Sequence, residues 1–445
     1  VTALRVHGWL AAVILLSGGI LTPGAAAQAS SSAPDVEVVT LEEAIRRATS
    51  FDPEYLRALG RIDNAKWSRA AAITQFVLPS VQATGSFTKF STEFFNIGTA
   101  QPASQIVQAQ LQGTLPLFRG GGRIAELNRA GAEKDASVAG EVQALYQTAL
   151  DTETDYYGVL AAGELRGVAE ERVRRAREQL AVARARVTSG AAVQTDSLQL
   201  LLELTRARVD LLGQESELTV ARYQLGRRVG ADGPVDAAPI DVEVSEPLPI
   251  GREEAVAEAL ATGPDYLTAL SEERAAQSAL SVRRADFLPQ VDLFGSISAF
   301  DERIFPTATV RTAGGISVSV PVWNGGQREI QVSQARVARD VARARREDIE
   351  RGVRRDVVQA HAAYGTARAS AELATQGVRV ARETLRVQDS RYRSGATTIL
   401  DLITAQVDLT DAEAQLVQAR YSVRLALAGL EALLGRRVFT DGIEP

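Results

Sequence analysis

Apolar and polar positions along this chain follow two periods, and the switch between them occurs twice. Leu41–Val77 reads as helix, broken or slightly kinked at Pro53. Thr40 ahead of Leu41-Glu42-Glu43 is a capping-box start. After Pro79 the period falls to two: Val81, Ala83, Gly85 and Phe87 alternate with polar residues, then Val107, Ala109, Leu111, Gly113 and Leu115. Asp265–Phe287 reads as helix again. Val291, Leu293, Gly295 and Ile297 then alternate, followed by Ile316, Val318 and Val320. Such alternation predicts strands with one apolar face, each near the ~9–11 residues that a tilted strand needs to cross a bilayer. Loops rich in Gly, Pro, Asn and Asp (Asn96–Pro102 and Asp301–Pro306) join the strands into hairpins at about 80–116 and 290–322. Phe90, Phe94, Phe95, Phe300 and Phe305 lie near the hairpin tips, either as an interfacial aromatic girdle or as ordinary hairpin packing.

The helical segments that follow are long. Arg123–Arg186 has no proline and little glycine, and such a helix reaches roughly 100 Å. Its partner runs from Gln327 to Ser390. Helices of this length belong to coiled coils or tubular bundles rather than to a globular core. Leu165, Val168, Val173, Ala176, Leu180, Ala183 and Val187 form one 3-4 seam; Ile403, Val407, Thr410, Ala414, Val417 and Tyr421 form another. Thr188-Ser189-Gly190 and Arg393-Ser394-Gly395 stop the outward helices, and the chain returns antiparallel within about six residues. The predicted long helices are therefore 123–187, 195–228, 327–391 and 397–434.

These landmarks occur twice in the same order. Glu42-Glu43-Ala44 returns as Glu253-Glu254-Ala255, and Pro53-Glu54-Tyr55-Leu56 as Pro264-Asp265-Tyr266-Leu267. Pro116, Gly120-Gly121 and Arg123 return as Pro321, Gly325-Gly326 and Arg328, and Ser189-Gly190-Ala191 with Asp196 as Ser394-Gly395-Ala396 with Asp401. One unit spans 41–230 and its copy 251–435. A linker, 231–250, joins them, and 436–445 is a short tail.

Composition narrows the function. With no cysteine, disulfides, thiolate metal sites and a lipid anchor through cysteine are excluded. The two histidines, His7 and His361, leave almost no material for a histidine metal cluster or a Ser-His-Asp triad. No phosphate loop or nucleophile–base pair appears, so the chain does not read as an enzyme and no cofactor is expected. A net charge of −6 with interleaved signs does not suit nucleic acid. Arg5, the apolar run Leu10–Ile20 and Ala27-Gln28-Ala29 form a secretory signal over 1–29, with cleavage after Ala29 or Ala27. A Ser/Ala/Pro-rich linker covers 30–40. No later stretch is apolar enough for a membrane helix.

Four strands cannot close a membrane barrel, and open edges do not survive in hydrocarbon. Several chains must then share one barrel, and two, three or four would give 8, 12 or 16 strands. The helical hairpins would close with the strands into a tube.

Pro116-Leu117-Phe118 and Pro321-Val322-Trp323, each followed by Gly-Gly, and Arg391-Tyr392-Arg393-Ser394-Gly395 with Leu400-Asp401-Leu402 and Ala405-Gln406 resemble the TolC-like outer-membrane efflux channels over about residues 40–435. The resemblance implies an α+β membrane protein: a homotrimer with one 12-stranded barrel in outer-membrane lipid, continued by a periplasmic helical tunnel. Implied partners are a periplasmic adaptor (membrane fusion) protein and an inner-membrane RND or ABC-type pump. The adaptor would meet the turns Ser189, Gly190, Ala191 and Ser394, Gly395, Ala396. A gate is implied as well. Asp401 matches the first position of an acidic ring, and the second position is Thr404, so the ring is expected to be single. Its like charges favour cations or raise the pKa of a carboxyl; a helix-start carboxylate beside its dipole is the other reading of Asp401. Thr195 and Asp196 match tethering positions. Tyr392 keeps the tethering tyrosine and Thr397 stands where the family has arginine, so a Tyr392–Asp196 hydrogen bond is expected to hold the closed state. The rival reading is a periplasmic coiled-coil adaptor or scaffold without a pore.

Overall fold

The computed structural model describes residues 36–96, 101–240, 247–301 and 309–439. The signal read over 1–29, the first residues of the 30–40 linker, most of both hairpin loops (Phe305 included) and 440–445 lie outside the described residues. A three-residue strand, β1 (Glu37–Val39), leads into α1 (Leu41–Phe51). The Thr40 hydroxyl accepts from the Glu43 N–H, which makes the first half of the expected capping box. At Pro53 the helix is broken rather than kinked. The Asp52 carboxylate caps a new helix, α2 (Pro53–Val77), by accepting from the Glu54 and Tyr55 N–H groups at 2.8 and 3.0 Å. Proline lacks an N–H and is pre-set for a first helical turn, so the break falls there.

β2 (Ser80–Asn96) and β3 (Gln101–Arg119) then pair antiparallel, and α3 (Gly122–Thr188) and α4 (Gln194–Arg228) form the first long hairpin. β4 (Val235–Ala237) lies in the inter-repeat linker and pairs in parallel with β1. The second copy repeats the plan: α5 (Arg252–Thr262), α6 (Pro264–Ala285), β5 (Gln290–Asp301), β6 (Thr309–Ser319), α7 (Gln327–Ser394) and α8 (Ile399–Leu434). β6 stops short of Pro321, which cannot donate to a ladder. At the matching place in β3, Pro116 is followed by a register shift. Residues 436–439, read as tail, are docked. Arg437 bridges the buried Glu153 and Glu431 at 2.7 and 2.6 Å, and Val438 enters the core beside α5 and α7.

At every level the chain forms an open layer. The strand order is β2–β3–β5–β6. Next to the sheet the helices pack in the order α2–α3–α6–α7, and further away as α4–α3–α8–α7. Coiled-coil packing is explicit on α7, which buries Val357, Tyr364, Ala371, Val378, Leu385 and Tyr392, one residue every seven. On α3 the seam Val173, Ala176, Leu180 and Ala183 is buried, and packs with Leu200, Leu204 and Ala207 of α4. On α8 the main buried line is Leu402, Ala405, Gln406 and Leu409, one position beside the seam that starts at Ile403.

Register sorts the sheet faces. Val81, Ala83, Gly85 and Phe87 stand opposite Gly113, Leu111, Ala109 and Val107. Leu111, Ala109 and Leu115 stand opposite Ile297, Ala299 and Leu293, and Leu293 opposite Ile316. Partners across a ladder share a face, so one face is apolar across all four strands. The other carries Gln82, Thr84, Gln108, Gln110, Gln112, Ser296 and Ser298.

Two arginines join sheet to coil. Arg123 donates to the carbonyls of Pro116, Gln75 and Phe76, with its guanidinium 4.3 Å above the Phe76 ring. Its counterpart Arg328 donates to the Pro321 and Val322 carbonyls at 2.6 and 3.1 Å and stacks on Phe287 at 4.9 Å. Each closes the end of a helix, the end of a strand and the start of the next helix with one side chain. Arg328→Met is expected to lower unfolding stability by roughly 1–3 kcal/mol, since it removes the buried Arg328 guanidinium from the Pro321 and Val322 carbonyls. Arg343→Met, which removes only an exposed i,i+4 pair with Glu347, is expected to cost less than about 0.5 kcal/mol. Denaturant unfolding of the helical signal compares the two.

Candidate functional site at the helical turns

The two coil ends are built alike. At the first turn Gly190 has φ +75°, and the Ala191 N–H returns to the Arg186 carbonyl at 2.8 Å. At the second, Gly395 has φ +79° and the Ala396 N–H returns to the Arg391 carbonyl at 2.8 Å. A left-handed residue is needed to reverse the chain there, and glycine adopts it without a Cβ penalty. Ser189 and Ser394 hydroxyls donate to the same two carbonyls at 3.0 and 2.9 Å. Arg186 and Arg391 brace the far side by donating to the Ala191 and Ala396 carbonyls at 3.3 and 3.4 Å. Ser189, Gly190, Ser394, Gly395 and Ala396 are exposed, as is Ala191, so both turns present small residues on a rigid frame.

Beyond this frame the turns differ. Arg186 also donates to the Tyr392 carbonyl, and its guanidinium lies 4.8 Å from the Tyr392 ring centre. One arginine thus ties the first turn to the second. The residue that replaces Tyr392 in the first copy is Val187, which offers no ring. Arg186 was not singled out from sequence; its spacing of five before Ala191, matched by Arg391 and Ala396, was the available signal.

Tyr392 is buried, with 4% exposure, among Leu402, Leu385 and Leu200. Its hydroxyl has no hydrogen-bond partner among the described residues, so the expected Tyr392–Asp196 hydrogen bond is not made. The hydroxyl is held inside the apolar seam, while Arg186 takes the ring face and the backbone carbonyl. Burial pushes the phenol above its ordinary range; the half-buried Asp196 adds to this and Arg186 opposes it. Asp196 is therefore a charged neighbour of Tyr392 rather than its acceptor. Thr195 is exposed.

Asp401 closes a capping box. Its N–H donates to the Thr398 hydroxyl, and its Oδ2 accepts from the Thr398 N–H at 3.1 Å and from the Thr397 and Thr398 hydroxyls at 2.7 Å each. Within one chain the local bonds act on Asp401 in the opposite direction to a ring of like charges. The Thr397 and Thr398 hydroxyl bonds, then the Thr398 N–H, hold the carboxyl below its ordinary range. Thr397, which stands where the family has arginine, thus serves Asp401. Three residues on, Thr404 is exposed and neutral. The exposed line of α8 continues from it through Asp408 and Asp411. Those two acids step 3-4-3 from Asp401 on one helix face, a spacing present in the sequence but overlooked beside the apolar seam.

A depressed carboxyl stabilises the fold above its unfolded pKa, and this contribution is lost as pH falls through the folded value. Asp401 therefore supports the α8 start at neutral pH and releases it only as acid protonates the carboxyl. Replacing Thr397 and Thr398 together by valine is expected to raise the Asp401 pKa, read by carboxyl 13C titration. An unmoved titration contradicts the capping role.

The sequence profile described as "Outer membrane efflux protein" matches residues 45–231 and 255–436. The outer membrane efflux protein BepC of Brucella suis is 26% identical over 63% of this chain and 61% of its own length, so the match spans about three fifths of that relative. The solvent efflux pump outer membrane protein SrpC of Pseudomonas putida is 24% identical over 83% of this chain and 78% of its own. A membrane protein of Pseudomonas aeruginosa has the same fold at TM-score 0.77, with 19% identity over 90% of this chain and 91% of that one. The two matched segments coincide with the two structural copies. The chain belongs to the outer membrane efflux protein family, which comprises transport channels rather than enzymes, and it has the α+β fold of that family.

Proposed function

We propose that three copies of this chain form a passive exit duct in the outer membrane, opened and supplied by a periplasmic adaptor and an inner-membrane RND or ABC-type pump of an efflux or type I secretion system. One observation carries the reading: the two margins of the open layer are both unfinished and complement each other. β2 and β6 each use one edge only among the described residues. On the β2 side, α4 exposes Leu198, Leu202, Val209, Leu212 and Tyr223, a line in coiled-coil spacing, and α2 exposes Trp67 at 75%. On the β6 side, α7 exposes Ile330, Val337 and Val341 near the sheet, then Leu373, Val380 and Val387 at intervals of seven.

Unpaired strand edges cost several kcal/mol per group in hydrocarbon, and exposed coiled-coil seams seek a partner helix. A ring in which the β2/α4 margin of one copy meets the β6/α7 margin of the next satisfies both at once, and such a head-to-tail contact closes into a cyclic oligomer. Three copies give the 12-stranded barrel of the family resemblance. The apolar sheet face then meets lipid and the Gln/Ser/Thr face lines the lumen. The tunnel would narrow at Asp401, Thr404 and the α8 start, next to the turns that offer Ser189–Ala191 and Ser394–Ala396 to the adaptor. Tyr392, Asp196, Thr195, Thr397 and Arg186 would set how the turns lie against one another. A periplasmic scaffold has no use for a sheet with one lipid-matching face and one polar face.

Val380→Asp puts a charge in the proposed interprotomer seam while leaving the intrachain core untouched. It is expected to abolish heat-modifiable trimers in outer-membrane extracts, while Val380→Ile retains them; trimers that survive Val380→Asp remove α7 from the interface. In planar bilayers, Asp401→Asn channels are expected to lose part of the wild-type cation preference and of the divalent block. Unchanged values for both would remove the acidic ring.

A further inference from the structure

The polar face of the sheet is almost free of charge. Over the paired stretches Ser80–Thr88, Ile106–Arg119, Gln290–Phe300 and Thr309–Ser319, the described residues on that face include three ionised side chains, Arg119, Asp292 and Arg311. Asp292 lies at the end of the sheet next to the helices and is paired with Arg119 at 3.6 Å. Arg311 lies toward the hairpin end of β6. Register places it opposite Ser298, which stands opposite Gln110, which stands opposite Thr84. Its whole cross-strand row is therefore neutral and polar. No carboxylate among the described residues forms an ion pair with it. Its guanidinium instead lies 5.2 Å from the centre of the Phe300 ring, a residue of the same face on the neighbouring strand. Such a contact holds the cation over the wall and does not neutralise it.

We propose that Arg311 supplies a cationic ring inside the outer half of the barrel, which favours anionic solutes at the exit and opposes the cation preference set at the helical mouth. This rests on the trimeric-barrel reading, since three copies of one edge-strand residue make the ring. Twelve strands about 4.8 Å apart, tilted ~40°, place the backbone about 12 Å from the axis. An arginine side chain covers roughly half of that radius on bond-length grounds. The charges then lie well within the ~10 Å screening length of 0.1 M salt, so their field fills the lumen. With a wall of Gln, Ser and Thr around them, no described residue of that row cancels it. The duct carries negative charge on α8 and positive charge at the opposite end, so an anion that has passed the helical mouth is drawn outward.

The chain has no cysteine, so Arg311→Cys offers one addressable thiol. Reversal potentials of single channels in a KCl gradient near 0.1 M report the chloride-to-potassium permeability ratio. The ratio is expected to fall about fivefold in Arg311→Cys, from three screened charges at half the lumen radius. A cationic methanethiosulfonate reagent should restore it, and an anionic one should lower it further; wild-type channels should ignore both. Should Arg311→Cys not assemble, Arg311→Lys should keep the wild-type ratio and Arg311→Gln lose it. Conducting variant channels with the wild-type ratio, or an Arg311→Cys channel blind to both reagents, overturn the ring while leaving the barrel standing. Wild-type protein that forms no trimers and no channels sinks the barrel reading, and the ring with it.

Discussion

The backbone of β2 and β6 governs this molecule. Each strand has one edge paired within the chain and, among the described residues, one edge without an intrachain partner. In water such an edge is an aggregation hazard; in hydrocarbon it is untenable. Every other level repeats the same incompleteness on the same two sides: Trp67 and the Leu212 line on one margin, the Val337 and Val380 lines on the other. A single structural repeat has two strands and two long helices, and doubling it widens the layer without closing it. In the proposed ring, closure is left to copies of the chain, and the lumen is then a property of the assembly rather than of the fold.

Duplication also explains how two unlike turns arise from nearly identical parts. Both turns use the same glycine, the same serine bond and the same arginine brace, so both helical hairpins end in the same hydrogen-bonded frame. The asymmetry comes from a few substitutions laid on that frame. Tyr392 stands where the first copy has Val187, so Arg186 finds a ring and a carbonyl across the seam, while Arg391 braces its own turn. Thr398 and Asp401 cap α8, while α4 starts behind Val193 without a side-chain cap. The second hairpin has the better-anchored start, and the first is tied to it through Arg186.

Much of this was legible in the sequence because it rests on local physics. Period-2 alternation sets the sheet faces, Pro53 and Asp52 set a helix break, and Gly190 and Gly395 set the turns. What the sequence did not show depends on tertiary placement. The β1–β4 pair joins residues far apart in the chain through three-residue strands, too short to carry a period. Arg437 looks like a tail residue until Glu153, far back on α3, is found beside it. At the turns, residue type suggests a tyrosine–aspartate bond for Tyr392, whereas burial places its hydroxyl in the apolar seam. Asp401 reads as one charge in an apolar run, and only the folded cap shows three donors on one of its oxygens.

The central claim is that the chain completes its sheet and its coil only by joining copies of itself. Native mass measurement of the complex released from outer-membrane vesicles tests this most directly. The account predicts three chains, and none of the single-chain form in the membrane fraction. A membrane-inserted species of one chain would contradict it.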